Sequence, residues 1–128
     1  NPPPNLSCRF FTHSTETLLW AKKSKKAKHT FHYDVMKAQN GDKQMKCVWQ
    51  ITPPNKTEKT FGKHPTQKPL ALLERCVLAA SNVGDFIFDP FMGSGTTGVA
   101  VLKNGRKFCG CEMEKGFFDL AEKRLAAV

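Results

Sequence analysis

In the second half of the chain, apolar residues fall into alternating helical and extended patterns. Leu70, Leu73, Val77 and Leu78 recur at helical spacing between Pro69 and Asn82-Val83-Gly84, which predicts a helix. Asp85-Phe86-Ile87-Phe88-Asp89 is a short apolar run and predicts a strand. Gly93 to Gly98 is a glycine-rich turn, and a helix begins over Thr96 to Leu102, closed by Asn104-Gly105. Lys107 to Cys111 predicts a second strand, ending in Glu112, and Gly116 to Ala127 a final amphipathic helix. Helix, strand, turn, helix, strand, helix is a βαβ unit with a helix on either side. The fold class is therefore α/β, a parallel sheet flanked by helices.

The first half is less regular. Residues 1–15 are proline-rich and then polar. Thr17-Leu18-Leu19-Trp20 predicts a short strand, and Val48-Trp49-Gln50-Ile51 another extended piece ended by Pro53-Pro54. Phe31 to Met36 is a mixed aromatic-polar segment. Asn40-Gly41-Asp42 is a turn signal, and residues 55–69 read as a loop. No internal repeat is visible.

Charge sharpens this division. Residues 1–69 hold 13 Lys/Arg against 4 Asp/Glu, whereas residues 70–128 hold 7 against 7. The whole excess of +9 thus sits in the first half. Five lysines, Lys22, Lys23, Lys25, Lys26 and Lys28, fall within seven residues. Such a segment suits a polyanion, although a solvated lysine-rich surface has the same composition. The five cysteines are odd in number and form no CxxC pair, so reduced, buried thiols are expected and no metal site. No apolar run approaches the roughly 18 residues of a membrane span, and no signal-peptide pattern occurs. A cytoplasmic location is expected, without a membrane partner.

The candidate chemistry lies in Asp89-Pro90-Phe91-Met92-Gly93-Ser94-Gly95-Thr96-Thr97-Gly98, between a strand and a helix. Ligands of such sheets bind at the carboxyl ends of the strands. Glycines permit close approach, amides at the helix start can hold an anionic group, and Ser94, Thr96 and Thr97 add hydroxyl donors. Residues 93–98 also spell GxGxxG, with Glu112 19 residues after Gly93, which on its own suggests a dinucleotide site. Asp89 argues otherwise. A carboxylate beside the turn would repel a pyrophosphate but suit a ligand with an ammonium and a sulfonium. Glu112 can accept from ribose hydroxyls in either case.

These residues resemble a known family. Asp89 to Thr97 is similar to motif I of the DNA N6-adenine and N4-cytosine methyltransferases. His64-Pro65-Thr66-Gln67-Lys68-Pro69 resembles the motif that precedes it in the β subclass. Arg9-Phe10-Phe11-Thr12-His13 and Glu16-Thr17-Leu18-Leu19-Trp20 are similar to the segment leading into the target-recognition region. The resemblance covers nearly the whole chain. It implies a partial Rossmann-like methyltransferase fold, with residues 64–128 binding S-adenosylmethionine and residues 1–63 forming a basic target-recognition and connecting segment. The implied cofactor contacts are Thr66, Lys68, Asp89, Phe91, Gly93, Ser94, Gly95, Thr96, Thr97 and Glu112. Phe117 is a further candidate for the adenine pocket, with core packing an equal alternative. Lys22, Lys23, Lys25, Lys26 and Lys28 would contact double-stranded DNA.

The family positions its target amine with an Asp/Asn/Ser-Pro-Pro-aromatic motif. Asn1-Pro2-Pro3-Pro4 does not supply it, because Pro4 has no aromatic face and no strand precedes it. The catalytic residues are therefore expected N-terminal to this chain, in a missing half or complementary subunit, and the chain alone is expected to be inactive. The expected reaction is methyl transfer to adenine N6, or to cytosine N4, in a restriction-modification setting. A catalytically silent DNA-binding or partner module of the same fold, and a fragment of an NAD-dependent oxidoreductase, are the alternatives.

Overall fold

The structure, a computed structural model, describes residue 7, residues 9–12 and residues 14–128. Its elements are α1 (Tyr33–Gln39), a 3-10 turn (Thr57–Lys59), α2 (Leu70–Ala80), β1 (Phe86–Asp89), α3 (Thr96–Lys103), β2 (Lys107–Gly110) and α4 (Lys115–Leu125). β1 and β2 pair in parallel, with Phe86 opposite Lys107 and Asp89 opposite Gly110. The strand–helix–strand unit thus forms as its periodicity predicts. Asn40-Gly41-Asp42 turns, with Gly41 and Asp42 both at positive φ.

The core lies between this unit and α2. Val77, Ala100 and Val101 are buried, with Leu70, Leu73, Ile87 and Phe108 packed against them. Side chains alternate across a strand, so Ile87 and Phe108 reach the helices while Phe86 and Phe88 face the other way. Phe86 is 64% and Phe88 54% exposed. Among the described residues the helices therefore cover one face of the sheet and leave the other bare. That explains the fate of the cysteines. Cys109 and Cys111 are exposed on β2 and just beyond it, Cys47 is also exposed, Cys76 is half-buried, and all four are free. The expectation of burial fails for Cys109 and Cys111 because no described helix covers that face of the sheet, and for Cys47 because it lies in an exposed loop. Cys8 lies outside the described residues.

Close packing fixes the crossover. A Cβ built on Gly98 would meet Leu125 Cδ2 and Phe108 Cε1 at 2.6 Å, so only glycine lets α3 settle between β2 and α4. Alanine would gain up to about 1 kcal/mol of helix propensity, against about 1–3 kcal/mol lost to overpacking. Gly98→Ala is accordingly expected to lower the urea midpoint; an unchanged or raised midpoint would contradict this packing.

Long-range polar contacts tie the first half to α2. The Glu58 carboxylate accepts the Leu70 N–H at 2.8 Å, satisfying a donor that Pro69 cannot. At the far end, buried Arg106 donates to the Ser81 carbonyl at 2.7 Å, to Ser81 Oγ at 3.3 Å and to the Asn104 carbonyl. His32 adds its N–H to the Ala79 carbonyl at 2.9 Å, and its Nε2 lies 3.1 Å from the Ser81 carbonyl. This docking holds α1 in place through buried Met36.

One expectation changes here. Thr17–Trp20 forms no strand, and Leu18, Leu19 and Trp20 are 59%, 86% and 56% exposed. No described strand lies beside them to accept a ladder. Val48–Ile51 pairs with no described strand, and Trp49 lies against the Arg75 guanidinium at 4.9 Å. The mixed segment after Phe31 contains helix α1. Among the described residues no helix is long and apolar enough to cross a membrane.

Candidate cofactor site

Asp89 ends β1 opposite Gly110, and Glu112 lies two residues beyond Gly110, so parallel pairing brings both carboxylates to one edge. Between them the chain makes its turn. Gly93 and Gly95 adopt φ of 52° and 73°, a region costly for residues with a Cβ. Gly95 also caps α3 and backs onto α4, where an added Cβ would lie 3.0 Å from Ala121 Cβ.

The turn spends its own amides. Phe91 N–H donates to Asp89 Oδ1 at 3.0 Å, Met92 N–H to the Cys111 carbonyl at 2.9 Å, Gly93 N–H to Glu112 Oε2 at 3.0 Å and Gly95 N–H to the Met92 carbonyl at 2.8 Å. An anion at this turn would have to displace those bonds beside two carboxylates. The expected amide cradle for an anionic group is thus largely engaged within the chain. The arrangement disfavours a pyrophosphate more strongly than Asp89 alone suggests.

The hydroxyls divide as well. Ser94 and Thr96 are buried, and Arg124 Nη1 donates to the Ser94 carbonyl at 2.6 Å, Ser94 Oγ at 2.9 Å and Thr96 Oγ1 at 3.0 Å. Their expected role as rim donors is replaced by an inward one, holding the turn to α4. Thr97 is half-buried. Arg124 is itself buried, and desolvation pushes its pKa down from the usual guanidinium value, with Glu58 acting in the opposite sense. Sequence reasoning missed this residue.

Glu112 accepts the Glu114 N–H at 2.9 Å through Oε1 in addition to Gly93 through Oε2. The Glu114 N–H chiefly holds its pKa below the usual glutamate value, helped by the Gly93 N–H and opposed by desolvation. A lowered folded-state pKa means the charge contributes fully above the unfolded value, and is lost only as pH falls through the folded one. A carboxyl-carbon NMR titration is therefore expected to place the Glu112 midpoint below the ordinary glutamate range; a midpoint above it would show these bonds to be absent. Among the described residues neither Asp89 nor Glu112 forms an ion pair.

The 64–69 segment joins the rim through His64. Its ring lies beside Gly93, where a Cβ would come within 3.2 Å of Nε2, and it packs on Phe117 with centroids 4.1 Å apart. His64 Nδ1 accepts the Thr66 N–H at 3.2 Å and lies 3.4 Å from Thr66 Oγ1. Gln67 is turned inward, its Nε2 donating to the Glu58 carbonyl at 2.9 Å. Lys68 is exposed and pairs with Glu16 at 2.6 Å. Phe91 and Met113, which follow the two acid positions closely, are 87% and 99% exposed. Lys22, Lys23, Lys25, Lys26 and Lys28 are all exposed, on a separate loop that turns at residues 23–26. Asn1-Pro2-Pro3-Pro4 and His13 lie outside the described residues.

A parallel βαβ unit with paired acids beside a glycine turn defines a Rossmann-like ligand-binding protein. Residues 1–123 match the DNA methylase family model of N6/N4 methyltransferases, and the chain belongs to that family. It is 59% identical over 128 residues to the type II methyltransferase M2.DpnII of Streptococcus pneumoniae, covering 99% of this chain and 48% of that protein. It is 52% identical over 124 residues to M2.MboI of Moraxella bovis, covering 97% and 45%. The crystal structure of the M1.HpyAVI–SAM complex superposes with a TM-score of 0.74 at 42% identity, covering 98% of this chain and 57% of that one. The chain spans about half the length of the curated relatives it matches.

Proposed function

We propose that this chain is the cofactor-binding and DNA-facing portion of a site-specific DNA methyltransferase of a restriction-modification system. S-adenosylmethionine is its cofactor, and the exocyclic amine of adenine, N6, its target in preference to cytosine N4. The observation carrying this reading is the pair of un-neutralised carboxylates, Asp89 and Glu112, flanking a turn whose amides are largely engaged. That set of acceptors fits a cationic nucleoside with free ribose hydroxyls. The M1.HpyAVI structure, similar over 98% of this chain, is a complex with SAM.

The cofactor supplies a methyl group on a sulfonium, already a good leaving group. The chain's part is to bind and align. Asp89 would hold the ammonium, Glu112 would accept from the ribose hydroxyls, and Thr66 and Lys68 would donate to the carboxylate. Gly93 and Gly95 admit close approach, while Ser94, Thr96 and Thr97 shape the turn. Phe91 and Met113 offer apolar cover for the adenine ring. Lys68 must then share its ammonium between Glu16 and the cofactor, which its three donors allow.

Residues 64–128 serve the cofactor and residues 1–63 the DNA. Lys22, Lys23, Lys25, Lys26 and Lys28 neutralise phosphates of double-stranded DNA, so binding weakens steeply with salt. Lys25→Gln with Lys26→Gln is expected to reduce the log–log salt slope by roughly 1–2, about 0.9 per lost phosphate contact; an unchanged slope would remove these lysines from the interface.

The motif that orients the target amine is proposed to lie in the complementary part of the enzyme, which would also cover Phe86 and Phe88. Methyl transfer from labelled S-adenosylmethionine to DNA tests this reading. No turnover is expected from the chain alone, and turnover is expected with a polypeptide supplying the remaining half. Turnover by the isolated chain would refute the division, and none from the combination would refute the function.

A further inference from the structure

Beside the lysine loop lies a cluster of rings that neither the cofactor site nor the phosphate contacts use. Trp20 meets His29 edge-on at 5.6 Å between centroids and Phe31 at 5.5 Å with 51° between planes. Together with Lys22 they line an open recess of about 430 Å³. Trp20 is 56% and Phe31 45% exposed, so their ring faces are open to a ligand. None of the recess's lining residues belongs to the 89–95 turn, so this is a separate site.

The recess is firmly placed. Phe31 immediately precedes His32, whose N–H is fixed to the Ala79 carbonyl of α2. Trp20 is four residues from Glu16, which pairs with Lys68 beside the cofactor site. Four residues reach at most about 14 Å. The Lys22 ammonium, at the edge of the recess, donates to the Lys25 carbonyl at 3.1 Å, so the lysine run turns on itself beside it.

Resting on the DNA-binding reading above, we infer that Trp20, His29 and Phe31 form a stacking platform for one unstacked nucleobase of the bound DNA, distinct from the base that is methylated. The lysines select the polyanion, and the open ring faces take a base that has left the helix stack. Stacking on an aromatic side chain is sequence-tolerant, because every base has a π-face. The platform would hold the DNA locally open close to where the amine must meet the cofactor.

The test compares two duplexes, one fully paired and one identical except for a single extrahelical 2-aminopurine. Fluorescence anisotropy of an end label gives affinity, and 2-aminopurine quenching reports stacking. The chain is expected to bind the bulged duplex on the order of tenfold more tightly, with quenching. Trp20→Ala and Phe31→Ala should each erase most of that preference and the quenching, while paired-duplex affinity stays within about twofold. Trp20→Tyr should retain both. Lys25→Gln with Lys26→Gln should weaken both duplexes equally and leave the preference. Equal binding of the two duplexes without quenching, or a preference that survives Trp20→Ala, would overturn the platform and leave the DNA-binding reading standing. No binding to either duplex would overturn both.

Discussion

Arg124→Ala is expected to destabilise the chain by about 3 kcal/mol, read as a fall in the urea midpoint. The guanidinium is the donor to the Ser94 carbonyl and to the hydroxyls of Ser94 and Thr96. All lie in buried residues. Without Arg124 the Ser94 carbonyl loses its guanidinium partner, at about 1–3 kcal/mol if water does not enter, the hydroxyls of Ser94 and Thr96 keep only each other at 3.3 Å, and the arginine stem leaves a void. Against a total stability of about 5–15 kcal/mol for a domain, such a loss is severe. Arg124→Lys keeps a charged donor, but on a shorter stem that must reach the acceptors now served by Nη1 alone, and should recover only part of it. A midpoint unchanged in Arg124→Ala would mean the turn does not depend on α4. Because the same turn is proposed to hold the cofactor, affinity for it should fall alongside stability.

Glu112→Gln is expected to lower affinity for S-adenosylmethionine by roughly 10- to 100-fold, the range for losing charge-assisted hydrogen bonds. Its two oxygens each receive a backbone N–H, from Gly93 and from Glu114. Glutamine retains one acceptor oxygen and sets an NH2 group against the other N–H. The substitution therefore removes the charge offered to the ribose and also disturbs the turn at Gly93. Glu114→Gln, two residues on at the N-cap of α4, is the matched control and should leave affinity unchanged. If both variants bound alike in calorimetry, Glu112 would have no special part in the site.

The contrast between these two residues shows what could be read from the chain itself. Glu112 is legible because it closes a short apolar strand at a fixed distance from a glycine turn, and parallel pairing then places it beside Asp89. Arg124 sits within Glu122-Lys123-Arg124, which reads as a charged helix surface until α4 docks on the turn. Helix α1 is equally hidden. Over seven residues it buries only Met36, and it is held by His32 reaching the end of α2, a contact no local period reports. Leu18, Leu19 and Trp20 have the composition of a buried strand but lie exposed, since apolar content speaks to preference and not to whether a neighbour is present. The turn's amides belong to the same category. Glycine spacing announces a ligand turn, whereas whether its N–H groups are free for an anion depends on acids and carbonyls brought in by folding.

That last point decides the nature of the ligand, and with it the account as a whole. Parallel calorimetric titrations of the chain with S-adenosylmethionine and with NAD bear on it most directly. The structure predicts saturable binding of the sulfonium nucleoside and none of the pyrophosphate-bearing dinucleotide. Binding of NAD in its place would contradict it.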